Sequence, residues 1–274
     1  MSVDLLKKGH SPMKLTDDNV RFKSKLQQGE VCLGSWVTFS DPCIAECMAL
    51  AGFDFLFFDM EHSPNDTAWV QNLCMALKGT GCAPMVRVPW NDMVRIKRVL
   101  DVGAAGVLLP WVRSVTDVEY GVAACKYPPA GVRGYGPRRP HHYGRIEADY
   151  RAAANDQTIV MVQIEHIDAV NCIDEIMKVD GLDAVFIGSN DLSGSMGMLG
   201  QTKHPTVLAA IDRVLAAGKA AGIPVGIASN DDPADNVAYI RAGMQFLGMA
   251  VDFVFLSKAV DRLVSGMRAG LAAS

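Results

Sequence analysis

The chain has 274 residues, half of them hydrophobic and a fifth charged, with a formal net charge of −4. That is ample apolar material for a large core, and it leaves no basic field for a phosphate backbone, which excludes nucleic acid as a partner. Apolar runs such as Phe53 to Phe58 fall far short of the ~20 residues of a membrane helix, and the polar N-terminal residues hold no signal-peptide core, so a cytoplasmic protein without a membrane partner is expected.

Residues 1–20 mix Gly, Ser, Pro and Lys without periodicity and are expected to be a loose tail, leaving 21–274 as a single α/β domain. A short amphipathic helix from Asn19 to Gln28 leads into a first strand, Val31 to Val37. Short β-rich runs follow at Phe53 to Phe58, Pro84 to Val88, Gly106 to Leu109, Ile159 to Ile164, Ala184 to Ile187, Pro224 to Ile227 and Phe246 to Met249. Helical patterns lie between them: Pro42 to Ala51, Thr67 to Lys78, Met93 to Val102, Thr116 to Lys126, Ala169 to Val179, Thr206 to Ala221 and Pro233 to Ala242. Several stop at glycine, as in Ala51-Gly52, Val102-Gly103, Ala221-Gly222 and Ala242-Gly243, the signal of a helix turning back toward a strand.

Eight strand–helix units in this order predict a (β/α)8 TIM barrel. The alternative, an open dinucleotide-binding sheet, lacks a G-x-G-x-x-G after the first strand. One connection breaks the rhythm: Tyr127 to Gln157, rich in Pro, Gly, Arg and His, is expected to be a long functional loop. Seven cysteines, an odd number without a C-x-x-C pair, are expected to be buried small hydrophobes.

Reactive side chains of such barrels project from the C-terminal ends of the strands. The second strand ends in Asp59-Met60-Glu61-His62, the third in Arg87, the fifth in Gln163-Ile164-Glu165 and the sixth in Gly188-Ser189-Asn190-Asp191. Glu165 and Asp191 are 26 residues apart, about one strand–helix unit, which puts two hard oxygen donors on adjacent strands, a set suited to Mg²⁺ or Mn²⁺. Asp191 could equally cap a helix. His62 reads either as a general base or as a structural histidine. Arg87, in an apolar run, needs an anionic partner: a substrate carboxylate or enolate, or an ion pair with Glu61 or Asp59. No lysine falls at a strand C-terminus, so Schiff-base chemistry is not expected. The basic stretch Arg133 to Arg145 is expected either to read a distal substrate carboxylate over the rim or to pack on a neighbouring subunit.

The segments Ala51 to His62, Val86 to Asp92, Tyr127 to Gly134, Val162-Gln-Ile-Glu165 and Phe186-Ile-Gly-Ser-Asn-Asp-Leu-Ser193 closely resemble the HpcH/HpaI aldolase family, the class II pyruvate aldolases. The resemblance runs in order from about Gly29 to Asp252. It implies a barrel of the phosphoenolpyruvate/pyruvate-domain type that reversibly cleaves 4-hydroxy-2-oxo acids to pyruvate and an aldehyde, dependent on Mg²⁺, Mn²⁺ or Co²⁺. By matching motif it implies Glu165 and Asp191 as metal ligands, His62 as the base, Arg87 on the enolate and Asp101 assisting. Gln163, Ser189, Asn190 and Asp191, with Arg87, would contact the substrate. It also implies a homo-oligomer, a trimer or a homohexamer. The chain departs from the better-known members at Gly188-Ser189-Asn190-Asp191, where they read Gly-Pro-Ala-Asp, and in the loop after Gly134. Alternatives are an oxaloacetate decarboxylase, a macrophomate-synthase-like enzyme making the same enolate, or a catalytically silent binding barrel.

Overall fold

The computed structural model describes residues 17–273. The chain opens with α1 (Asp17–Gln27), β1 (Cys32–Val37), α2 (Pro42–Leu50), β2 (Phe55–Asp59), α3 (Thr67–Ala76), β3 (Ala83–Arg87), α4 (Met93–Asp101) and β4 (Gly106–Leu109). It continues with α5 (Val115–Cys125), α6 (Glu147–Gln157), β5 (Ile159–Ile164), α7 (Ile167–Asn171), α8 (Ile173–Ile176), β6 (Ala184–Ile187) and α9 (Ser189–Ser195). The last elements are α10 (Pro205–Ala221), β7 (Val225–Ser229), α11 (Pro233–Ala242), β8 (Phe246–Val251) and α12 (Asp252–Ala273). The strands pair in parallel in sequence order, and β8 closes on β1. The chain is a (β/α)8 barrel.

Local chemistry sets the helix limits. Asp41, Asp66, Asp92 and Asp232 each accept backbone N–H groups at the start of α2, α3, α4 and α11, a cap worth about 1 kcal/mol. Gly52, Gly103, Gly222 and Gly243, the glycines expected to end helices, all have positive φ, a conformation that costs an L side chain strain.

Period two along each strand divides the core. Phe55 and Phe57 of β2 face the barrel interior with Trp36, Met85, Leu108, Met161, Phe186 and Phe246. Leu56 and Phe58 face the helices with Val86, Val107, Val162 and Ile187. The interior rings interlock at centroid distances of 4.9 Å for Phe55–Phe57 and 5.2 Å for Phe57–Phe186. Gly34 of β1 makes room for them, since a Cβ there would lie 2.2 Å from the Phe55 ring. The Asp252 carboxylate accepts from the backbone of Thr38, Phe39 and Phe253 and from the Thr38 hydroxyl, tying the ends of β1 and β8.

Four expectations need correction. The stretch Tyr127 to Gln157 is not loop throughout, because α6 occupies its second half; Ile146 at the N-cap gives α6 no side-chain hydrogen bond, so the usual start signal is missing. The helix expected over Ala169 to Val179 is broken at Cys172 into α7 and α8. The tail boundary moves: α1 begins at Asp17, and the rest of the expected tail lies outside the described residues. Cys43 and Cys47 are exposed, on the side of α2 opposite its buried Ala45 and Ala49.

Candidate active site

The same period that builds the interior places the polar residues above it. Asp59 follows Phe55 and Phe57 on β2, Arg87 follows Ala83 and Met85 on β3, and Gln163 follows Ile159 and Met161 on β5, with Glu165 next in that series. All four are buried at the C-terminal end of the barrel. Asp59 and Arg87 are register partners on adjacent strands. The guanidinium is therefore held in a fork, Nε donating to Asp59 Oδ1 at 2.9 Å and Nη2 to Oδ2 at 2.7 Å. Trp36 stacks 4.5 Å from the Arg87 Cζ, and its indole N–H donates to Gly248 O at 3.2 Å. Burial acts to lower the Arg87 pKa, but the bonds and charge of Asp59, with Glu61 and Glu165, raise it overall and keep the side chain cationic.

Asp59 also shapes the turn that follows, accepting from Glu61 N at 3.0 Å and His62 N at 3.4 Å. Glu61 Oε2 sits 3.3 Å from Arg87 Nη1 and 3.9 Å from His62 Nε2, without a hydrogen bond of its own. The His62 side chain is 65% exposed.

Glu165 accepts from Trp111 N at 2.6 Å and from Gln163 Nε2. Burial pushes its carboxyl up to about 7, opposed by the Trp111 bond and reinforced by Glu61 and Asp191. Glu61 is likewise pushed up to about 7, by burial first and then by Asp59 and Asp191, against the pull of Arg87. Gly188, just past β6, leaves the space beside them: a Cβ there would come within 2.9 Å of Gln163 Nε2 and 3.0 Å of Glu165 Oε2. Asp191 lies in the first turn of α9, whose N-cap is Gly188 and carries no side-chain cap, so the carboxylate is exposed and not used as a cap. Glu61, Glu165 and Asp191 repel one another, two of them with raised carboxyls, and Gln163 Oε1 has no partner; of these, Glu165 and Asp191 offer the one or two carboxylates that a divalent ion keeping its waters would take. Among the described residues no group of three or more His, Cys, Asp or Glu could hold a metal.

Ser189 and Asn190 open α9 beside Asp191. Asp101 is not brought to this rim. It is the last residue of α4, at the opposite end of the barrel, where it accepts from Arg133 Nη2 at 2.8 Å. The basic stretch goes there too: Arg133, Arg139 and Arg145 share a cavity with Ala104, Ala105 and Thr158, which precede β4 and β5. Within one chain it does not cover the rim, because α5 has already returned the chain to the end of the barrel from which β5 is entered. Lys126 is buried at that far end as well, donating to Asn155 O and Thr158 O. Trp36 and Trp111 escaped the sequence reading. Trp36 stood in the first strand on the interior series, but Trp111 is marked only by its backbone, at φ 59°.

Residues 33–259 match the HpcH/HpaI aldolase/citrate lyase family. The chain belongs to this family. A 4-hydroxy-2-oxo-heptane-1,7-dioate aldolase from Salmonella paratyphi C is 39% identical over 246 residues, 89% of this chain and 93% of the relative. A hydroxypyruvate/pyruvate aldolase from Sagittula stellata is 42% identical over 240 residues, 87% and 94% of the two chains. Among solved structures, an HpcH/HpaI aldolase/citrate lyase family protein from Burkholderia cenocepacia superposes with a TM-score of 0.86 at 34% identity, over 90% of this chain and 99% of that one.

Proposed function

We propose that this member of the HpcH/HpaI family is a class II pyruvate aldolase, reversibly cleaving 4-hydroxy-2-oxo acids to pyruvate and an aldehyde. The observation that carries the reading is the rim itself: Arg87 clamped by Asp59 and 3.3 Å from Glu61, whose carboxylate stands 3.9 Å from the exposed His62.

Glu165 and Asp191 would hold a divalent ion, Mg²⁺, Mn²⁺ or Co²⁺. Bound there, the ion supplies Lewis-acid polarisation of the 2-oxo acid. Gln163, Ser189 and Asn190 orient the pyruvate half. His62 takes the proton of the C4 hydroxyl, the C3–C4 bond breaks, the aldehyde leaves, and its electron pair remains on the pyruvate half as an enolate. Arg87 donates to the enolate oxygen where charge develops, a contribution worth roughly 3 kcal/mol for a well-placed donor. Protonation at C3 completes pyruvate, and the reverse order condenses pyruvate with an aldehyde. Asp101 faces away from its own rim, so in this reading it assists from a neighbouring copy in a trimer or hexamer. A cytoplasmic location is in keeping with the absence, among the described residues, of any helix long and apolar enough to cross a membrane.

The test is a coupled assay of pyruvate release from a panel of 4-hydroxy-2-oxo acids, before and after EDTA. Release that EDTA abolishes and Mg²⁺ or Mn²⁺ restores is expected. Full activity after exhaustive chelation, or a pyruvate adduct trapped by borohydride, overturns the mechanism. Release of CO₂ from oxaloacetate without any aldol cleavage transfers the site to the decarboxylase alternative.

A further inference from the structure

A second cavity, of about 400 Å³, opens at the N-terminal end of the barrel, remote from the rim. Its floor is apolar, with Leu100, Ala105 and Ala154, and its walls carry Lys78, Arg133, Arg139, His142 and Arg145. No acidic side chain lines it among the described residues. Arg133 is paired with Asp101, but its side chain is 1% exposed and its Nε has no hydrogen-bond partner. His142 Nδ1 is buried and unpartnered as well.

The other cations are placed without being neutralised. Arg139 lies against Gly103, where a Cβ would sit 2.3 Å from its Nη1, and donates through Nη2 to Cys74 O at 2.8 Å. Arg145 donates to His142 O at 3.0 Å. Backbone carbonyls orient these guanidiniums but do not cancel their charge, and no acidic partner of Lys78, Arg139 or Arg145 is found among the described residues. The positive field registers on His142, whose pKa is lowered by burial and then by Lys78, Arg139, Arg145 and His141. Lys78 and Arg145 are exposed at the mouth and Arg139 is half-buried, so cations of one sign converge on the cavity above a buried guanidinium with an unsatisfied donor, an arrangement that an anion entering from solvent would relieve. The volume is in the range of small-molecule sites, and an apolar floor with a few convergent polar groups is their usual composition.

We propose that this cavity is a second binding site, separate from the rim of its own chain, for a small organic anion with a carboxylate or phosphate head and a compact apolar body. The head meets Arg139, Lys78 and Arg145, with the Arg133 guanidinium buried behind them, and the body lies over Leu100, Ala105 and Ala154. Because α4 and α6 both border the site, its occupancy braces the helices that flank β4 and β5 at their entry.

The experiment is isothermal titration of the full-length protein with 1-naphthyl phosphate and 1-naphthoate, with neutral 1-naphthalenemethanol as control, all in saturating pyruvate and Mg²⁺. Saturable binding of an anionic probe at one per chain is expected, with the neutral analogue at least tenfold weaker. Lys78→Ala and Arg145→Ala, both at exposed positions, are expected to weaken it about tenfold each, the worth of a charge-assisted hydrogen bond, and Lys78→Glu to abolish it. The surface variant Arg113→Ala should bind as wild type. Tighter binding of the phosphate or of the carboxylate assigns the head group. The proposal is overturned by no saturable binding of either anion, by binding that pyruvate displaces, or by affinity indifferent to Lys78→Ala and Arg145→Ala.

Discussion

Asp59 joins three parts of the rim through one carboxylate: it forks Arg87, receives the Glu61 and His62 amides, and so sets where His62 stands relative to Arg87. The roles around it separate by measurement. Glu165→Ala or Asp191→Ala should lose divalent-ion binding and turnover together, whereas His62→Ala should keep the ion and lower kcat by about 10²–10⁴-fold. Titration of Mn²⁺ beside steady-state kinetics checks both, and wild-type turnover in His62→Ala removes its assignment. A second prediction concerns Glu61 and Glu165, whose carboxyls stand at about 7 against an ordinary 4.5. Below 4.5 the folded and unfolded chains both hold these protons. Between 4.5 and 7 the unfolded chain releases them and the folded chain keeps them, so stability present at low pH is lost as pH rises through about 7. EDTA-stripped protein should therefore melt higher near pH 5.5 than near pH 8, and Mn²⁺ should recover the loss at pH 8. An equal Tm at the two pH values in EDTA would contradict the cause assigned to the raised pKa values.

At the scale of elements, strands and turns supply space as well as side chains. Gly188 has φ −97°, a conformation open to any residue, so Gly188→Ala tests the space alone. Its Cβ would push against Gln163 and Glu165. The variant should fold with a Tm near wild type while its Mn²⁺ affinity falls about tenfold, as expected when a coordinating group is displaced by disturbance of its neighbours. Unchanged Mn²⁺ affinity would show that Glu165 has room to yield. Gly34→Ala, by contrast, forces a methyl into the Phe55 ring at the floor of the barrel and should cost about 1–3 kcal/mol of stability by overpacking. Urea unfolding measures it, with the rim left intact.

At the scale of the whole molecule, α12 stands out among the described residues for its exposed apolar side chains. Of its 22 residues only Asp252 is buried, and Phe253, Leu256, Val260, Leu263 and Met267 stand exposed on it. A contiguous apolar face of this kind marks an interface, which supports the homo-oligomer proposed above. Light scattering should find an assembly larger than one chain, and Leu256→Glu with Leu263→Glu should reduce it. A monomeric wild type at micromolar concentration would remove the oligomer and, with it, the assistance of Asp101 from a neighbouring copy.

The sequence by itself determined the eight strands, most helices, the glycine stops and the sides of the strands that carry Asp59, Arg87, Gln163 and Glu165. These follow from short-range rules: a period of two, a period near 3.6, an aspartate cap, and a glycine free to take positive φ. The family was legible because its motifs occupy strand ends in a fixed order. Where the signal was non-local, only the tertiary structure decided. The clasp of Arg87 depends on the β2–β3 register, and the raised carboxyls of Glu61 and Glu165 depend on burial and on charges from other strands. The same holds for Trp111, whose amide reaches Glu165 across 54 residues. Asp101 and the basic stretch from Arg133 to Arg145 went to the end of the barrel opposite the rim, because a strand in a closed barrel must be entered from its N-terminal end, and the chain that delivers it carries its charges there.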